Sequence, residues 1–508
     1  MSAAAPSVPI TAEGADEAPW HRLDRRMLLI RPVLDLVKSL PVLIGALVLG
    51  HDGNPWQWIG VAVTVVTVGT GISHVLTSRY RVTATQVEWH TGLLLRKQRA
   101  VPRDRIRTVD VLSEPKHRLF SLSAVRIGTG RHDHHKGPGK DQLVLDAVTR
   151  AEAQRLRTLL LHRKPAAVEA PPETVLAEVD KRWVRYAPFT LSGIAVVAAI
   201  LGTVYHFAHE LHFDPTRFGP LRELTARVLQ EPVWLVVVWA ALGLLAVVSV
   251  LSVGGYVLSF WNFRLTREPG GTLHIRRGLV TTRSVSIEED RLRGVEVKEP
   301  LPLRIVGGAK VAAVAAGLRE GKGSDRGGSL LLPPAPASRA TEIAGQVLGL
   351  DLANVPLVRH SAKARTRRIS RAVLGVLLLS AALFGLARLG AFPEWPWQAA
   401  LALLPFAVAV GFDRYRTLGH ALAGQYLITR SGSLARATVA VRRDRLTGIA
   451  VHQSLFQRRA GLVTVIAPVA AGRGHYRVLD IEEGAGLALA DQAVPGLLTP
   501  FLESPEKP

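Results

Sequence analysis

The strongest constraint on the fold is that one eleven-residue pattern occurs three times. VPRDRIRTVDV at 101–111 returns as IEEDRLRGVEV at 287–297 and as VRRDRLTGIAV at 441–451. The Asp-Arg-aliphatic centre is kept in every copy: Asp104-Arg105-Ile106, Asp290-Arg291-Leu292 and Asp444-Arg445-Leu446. A second signature stands upstream of each, as Tyr80-Arg81-Val82-Thr83, Phe263-Arg264-Leu265-Thr266 and Tyr426-Leu427-Ile428-Thr429. Upstream of that lies a pair of apolar segments. Repetition on this scale means three copies of one structural unit, so the 508 residues are read as three repeats.

The apolar pairs are 34–50 with 56–76, 188–207 with 233–258, and 372–392 with 397–412. Crossing about 30 Å of hydrocarbon takes about 20 apolar residues, so six membrane spans are expected, as three hairpins. The first is the weakest, because Asp35, Lys38 and Pro41 shorten its clean apolar part. Lys and Arg cluster before the first span and after the second span of each pair, for example at Arg25 and Arg26, Arg79 and Arg81, Lys181 and Arg182, and Arg367 and Arg368. By the positive-inside rule those ends are cytoplasmic. The loop HDGNP carries no Lys or Arg, and ARLGAFPEWPW carries only Arg388 beside its Trp residues. Both suit the outer interface. The expected localisation is therefore the cell membrane, multi-pass, with the soluble units and both termini cytoplasmic.

The stretch after each hairpin is soluble in pattern. Segments such as YRVTATQVEWHTG and RAVPRDRIRTVDVLSE alternate apolar and polar residues between Gly and Pro, the period of half-buried strands. RAEAQRLRTLLLHR at 150–163 then changes to helical spacing, with Ala153, Leu156, Leu159 and Leu160 expected on one face. The same order, strands and then one amphipathic helix, recurs over 265–350 and 426–494. The domain boundaries are then a disordered, basic-ended N-terminus over 1–26; hairpins over 27–76, 184–258 and 372–414; β units over 77–165, 259–350 and 415–500; linkers over 166–183 and 351–371; and a tail over 501–508.

Composition narrows the chemistry. With no Cys, thiol redox chemistry, thiolate catalysis and Cys-ligated zinc are excluded. A formal charge of +22, from 63 Lys plus Arg against 41 Asp plus Glu, favours polyanions. A hydrophobic share of 48% selects an anionic membrane surface over nucleic acid. No aromatic-plus-basic signature of a DNA or RNA module appears. The Gly-rich piece GKGSDRGG lacks the Lys-Ser/Thr ending of a phosphate loop.

The order of hairpin, small β unit and closing helix, with the signatures Y-R-V-T, G-L-L, V-P-R-D-R-I and R-L-F (Arg118-Leu119-Phe120), resembles the bacterial pleckstrin-homology membrane proteins of the YdbS/YdbT-like family, in their three-copy form. The resemblance implies an α+β membrane protein in which each transmembrane hairpin precedes a PH-like β-barrel or sandwich capped by a C-terminal helix. The second copy departs from the pattern, with Leu303-Arg304-Ile305 in place of R-L-F, and the third lacks Pro102. Envelope stress or resistance is the kind of process the resemblance suggests.

Several residues invite a functional reading. The loop GRHDHHKGPGK at 130–140 sets His132, His134 and His135 beside Asp133, yet its repeat equivalents carry no matching ligands, so it reads as a hairpin loop and no metal or cofactor is expected. The pairs Asp104-Arg105, Asp290-Arg291 and Asp444-Arg445 lack a His or second-carboxylate partner in all three copies. They read as structural turn carboxylates bonded to backbone N–H groups. Glu288 and Glu289 read as a solvated strand edge. On the hairpin where phosphoinositide-reading PH domains place basic residues, this chain has Arg96, Lys97 and Arg99, the candidate lipid contacts. The expected function is a non-enzymatic membrane scaffold whose PH-like units bind anionic inner-leaflet lipid, a partner such as a single-unit PH-like membrane protein, or another copy of the chain. A subunit of a transporter or exporter is the alternative.

Overall fold

The structure, a computed structural model, describes residues 18–49, 56–92, 97–106, 108–128, 142–160, 173–190, 192–210, 230–315, 329–390 and 393–496. The first repeat runs β1 (His21–Arg22), α1 (Met27–Leu49), α2 (Trp56–Thr77), β2 (Arg79–Val82), β3 (Gln86–Thr91), β4 (Lys97–Pro102), a single 3-10 turn at Arg103–Arg105, β5 (Thr108–Ser113), α3 (Pro115–Leu119), β6 (Leu122–Gly128), β7 (Gln142–Thr149) and α4 (Arg150–Leu160). The second runs β8 (Thr174–Glu178), a 3-10 stretch at Lys181–Phe189, α5 (Ser192–Glu210), α6 (Val233–Phe260), β9 (Arg264–Glu268), β10 (Thr272–Arg277), β11 (Thr282–Glu288), a turn at Glu289–Arg291, β12 (Leu292–Pro300), α7 (Leu301–Ile305), β13 (Gly308–Ala315), β14 (Leu330–Pro336) and α8 (Ala337–Leu348). The third runs α9 (Ala362–Arg388), α10 (Trp395–Ala402), α11 (Leu404–Arg416), β15 (Gly419–Ala423), β16 (Tyr426–Ser431), β17 (Ala435–Arg442), a turn at Arg443–Arg445, β18 (Ala450–His452), α12 (Leu455–Ala460), β19 (Leu462–Pro468), β20 (His475–Glu482) and α13 (Glu483–Ala493).

Contacts divide the chain into two units: Met1–Glu173 with Glu268–Arg276 and Val280–Glu288, and Thr174–Arg267 with Arg277–Leu279 and Glu289–Pro508. In the first unit, β1 to β4 form a sheet in sequence order, and β7, β6 and β5 form another that β11 extends. The alternating apolar positions of both sheets meet in one core, with Tyr80, Val87, Val109, Val125 and Leu145 buried in it. Ala153, Leu156 and Leu160 of α4 join that core. Leu159, expected on the same face, is 38% exposed, because one residue of helical rotation turns it away from a stripe centred on Leu156.

In the second unit, β14, β13, β12, β17, β16 and β15 form one sheet, and β18, β19 and β20 a smaller one. Leu427, Val441, Val465, Val478 and Leu489 share a core. Val314 of β13 enters the same core, so second-repeat residues pack into the third repeat. Sheets therefore do not stop at repeat boundaries. Strand β5 of repeat one pairs with β11 of repeat two, and β12 of repeat two with β17 of repeat three, both antiparallel.

Among the described residues, four helical stretches are long and apolar enough to cross a membrane: Trp58–Thr77, Val233–Phe260, Ala362–Arg388 and Trp395–Arg416. Helices α1 and α5 occupy the other two expected spans without meeting that measure. The first carries Arg31, Asp35 and Lys38, and the second ends in His-Phe-Ala-His-Glu. The last span is divided at Leu403, ahead of Pro405, which cannot donate the hydrogen bond that a continuous helix needs there. Helices pack in pairs, α1 on α2, α5 on α6, and α9 on α10 and α11. Small residues permit the approach: a β-carbon on Gly411 would lie 2.8 Å from the Ile369 Cα, and one on Gly193 would strike Ser252.

Candidate functional site

A gathering of charge beside a membrane helix lies where α9 meets the β18–β20 sheet. The run KARTRRISR forms the first turns of α9, ahead of its apolar stretch. The consecutive residues Arg367 and Arg368 both reach Asp480, which is 1% exposed on β20. Arg368 reaches its carboxylate at 2.6 Å, and Arg367 donates to the other oxygen. Gln457 of α12 also donates to Asp480 at 2.9 Å and to Thr464 at 2.8 Å, while a capping box with Ser454 fixes its own position. Asp480 adopts φ 57, unusual for a residue other than Gly. The buried network that holds it there is what sustains that conformation.

An open cleft of about 1220 Å³ borders this network. Arg371 and Arg477 line it together with Arg367, Arg368 and Asp480. Farther along α9 it is lined by Leu374, Leu377 and Leu378, and Phe456 of α12 lines it as well. Those apolar side chains are exposed, Phe456 by 74%. A cleft that is cationic at one end and apolar along a membrane helix fits an anionic amphiphile, with guanidinium groups supplying charge-assisted donors to phosphate or carboxylate oxygens. Next to it, His420 and His360 lie 3.2 Å apart, and His360 contacts the Asp480 carbonyl at 3.1 Å. Burial pushes both imidazoles down, His420 to about 4 with repulsion from His360 adding to it.

The residues singled out in the sequence fall elsewhere. Lys97 and Arg99 stand exposed on β4, and Arg96 lies outside the described residues. The three Asp residues do sit on single turns between strands, and Asp444 bonds neighbouring side chains as well as a backbone amide. Arg442 grips it at 3.0 and 2.9 Å and Arg445 lies at 3.2 Å, which holds its carboxyl below the usual range. The residue before each Asp makes the long-range contact. Arg103 donates to the Leu159 carbonyl at the end of α4, and Arg443 to the Gln492 and Ala493 carbonyls at the end of α13. In repeat two Glu289 takes that position, pairs with Arg267 at 2.5 Å, and Arg267 reaches the Gln346 carbonyl of α8. Glu289 is thus a partnered residue and not a solvated strand edge. The 130–140 loop with His132, Asp133, His134 and His135 lies outside the described residues; among those described, no metal-holding cluster of His, Asp or Glu occurs.

The Asp480 cluster escapes a reading of the sequence because its arginines satisfy the positive-inside rule, which needs no partner. The density of KARTRRISR against the sparser flanks of the other hairpins is the available signal.

The bacterial PH domain family matches residues 35–164 and 374–490, the first and third repeats. The chain is 21% identical over 430 residues to the UPF0699 transmembrane protein YdbT of Bacillus subtilis (strain 168), an alignment covering 80% of this chain and 82% of that protein. No solved structure matches. Two PH-domain regions, helices long and apolar enough to cross a membrane, and similarity along most of its length make the chain a YdbT-like bacterial PH-domain membrane protein.

Proposed function

We propose that the chain is a non-enzymatic scaffold that crosses the membrane six times as three hairpins, holds three PH-like units against the cytoplasmic face, and seats an anionic lipid in the α9 cleft. The observation that carries the lipid reading is the cleft itself. Its cationic end is formed on the first turns of a membrane helix and its apolar end by later turns of the same helix. A bilayer lipid has the same order of parts. Lys97 and Arg99 add a second, weaker attraction of roughly 1 kcal/mol each where they near an anionic surface.

Native mass spectrometry of the full chain from nanodiscs of mixed phosphatidylglycerol and phosphatidylcholine tests this. Retained phosphatidylglycerol is expected to exceed phosphatidylcholine. Arg371→Gln with Arg477→Gln should lower that excess several-fold while leaving the melting temperature within a few degrees, since neither residue belongs to the Asp480 network. Equal retention of both lipids, or an unchanged excess in the double variant, rejects the cleft as a lipid site and favours protein ligands.

A further inference from the structure

The two junctions between repeats are built to one rule. In the first, Asp110 faces Val285 and Val111 faces Ser284; in the second, Glu296 faces Val439 and Val297 faces Thr438. Counted from the signature Asp residues, Asp110 and Glu296 are each six positions past Asp104 and Asp290. Val285 and Val439 are each five positions before Asp290 and Asp444. The strand after the Asp-Arg turn of one repeat therefore pairs, in identical register, with the strand before that turn in the next. An arginine closes each junction: Arg283 on Asp110 in the first, and Arg436 on Glu299 at 2.5 Å in the second.

Two strands of these same kinds are left at sheet edges. β4 precedes the first Asp-Arg turn and is the last strand of the β1–β4 sheet; β18 comes after the third turn and is the first strand of the β18–β20 sheet. Their burial differs from that of their counterparts. β5 is buried throughout and β12 mostly so, whereas all three residues of β18 are exposed. β11 and β17 are buried along their later halves, whereas Lys97 to Ala100 of β4 are exposed. Gly294, at the second junction, is so close to β17 that a β-carbon would collide with the Ala440 carbonyl oxygen; its counterpart Gly448 meets nothing within 4 Å. An open strand edge is a template for another strand.

We propose that β18 of one chain pairs with β4 of a second copy, continuing the internal junctions head to tail. The register comes from the same count: Ala450 faces Arg99, Val451 faces Gln98, and His452 faces Lys97. Pro102, which has no N–H to give, corresponds to Glu288, just outside the β5 ladder that ends at Ile287. It removes no hydrogen bond from the new junction. A contact between two different surfaces closes into a ring or extends as a filament.

The chain has no Cys, so introduced thiols report without background. Facing positions in an antiparallel pair lie about 4.5–5.5 Å apart between Cα atoms, within disulfide reach. Two differently tagged full-length copies, one with Gln98→Cys and one with Val451→Cys, are co-expressed and oxidised in membranes. A disulfide-linked mixed dimer is expected, at least tenfold more abundant than from Gln98→Cys with Gly448→Cys, which is out of register. A chain carrying both substitutions should give a ladder of multimers. No mixed dimer, equal yield from the two pairings, or a link closed only within single chains overturns the proposal. The unsubstituted protein supplies an independent measurement by mass photometry in detergent: multimers that grow with concentration are expected, and monomer at every concentration overturns it.

Discussion

In each Asp-Arg turn the residue before the Asp makes the contact of longest range. Asp104 is exposed on the turn, and Asp444 serves its neighbours Arg442 and Arg445. The position before it fastens the closing helix, through Arg103 and Arg443, or through Glu289 and Arg267 where the charge is reversed. These donors meet helix C-terminal carbonyls that have no intrahelical partner. Arg443→Ala should therefore cost about 1–3 kcal/mol, seen as earlier release of α13 in hydrogen exchange, whereas Asp444→Asn should cost less than half of that. A larger effect from Asp444→Asn would return the structural role to the signature residue. Repetition marks the turn but not the partner, because the carbonyls of α4 and α13 belong to no side chain and leave no trace in sequence. The histidine pair gives a second test. His420 titrates near 4 in the folded chain and near 6.5 free of it, and His360 is lowered as well. Between those values the unfolded chain binds more protons, so stability is complete above pH 6.5 and falls as pH drops toward 4. Thermal melts of the full chain should move down from about pH 7.5 to about pH 5, and His420→Gln should shrink that displacement. A displacement of unchanged size would place the titrating groups elsewhere.

At the scale of elements, strand existence is legible in the sequence and strand partnership is not. Alternation in YRVTATQVEWH or ATVAVRRDRL tells which side chains face a core, but hydrogen-bond partners across a sheet carry no period of their own. Three equal repeats suggest three closed units. The structure instead pairs β5 with β11 and β12 with β17, and places β11 and most of β10 in the first contact unit. Arg157 of α4 strengthens the first junction, donating to Ser286 at 2.7 Å and to Glu268. Burial works to raise the Glu268 carboxyl, but bonds from His274 and Arg157 bring it down to about 2. Gly294 offers a steric test at the second junction. Its backbone suits any residue, so Gly294→Ala acts only through the clash with the Ala440 carbonyl. A loss of about 1–3 kcal/mol is expected from that overpacking, with faster exchange of β12 and β17 amides. No change in exchange would mean the strands stand farther apart than described.

The strand pairs also govern how the whole chain threads a bilayer. Hydrogen-bonded strands must lie on one side, so the chain between any two of them crosses an even number of times. β1 pairs with β2 across α1 and α2; β5 pairs with β11 across α5 and α6; β12 pairs with β17 across α9 and the α10–α11 span. Each interval holds at least one helix that meets the length and hydropathy of a span. In the first two intervals the proposed six-span arrangement has the other helix, α1 or α5, cross too. Their lengths allow it: 23 and 19 residues reach about 28–35 Å at roughly 1.5 Å per residue. The charges on α1 are placed to tolerate it, with Asp35 between Arg31 at 3.9 Å and Lys38 at 3.5 Å, none of them past the helix's midpoint. In the six-span arrangement proposed above all the sheets share one face, which the positive-inside rule assigns to the cytoplasm. Alkaline phosphatase fused after residue 165, 350 or 496 should be inactive in cells, and fused after residue 53 or 220 it should be active. Activity after 350 with none after 165 would mean an odd number of crossings between them. That result would break the β5–β11 pair on which both the six-span count and the shared register of the junctions depend.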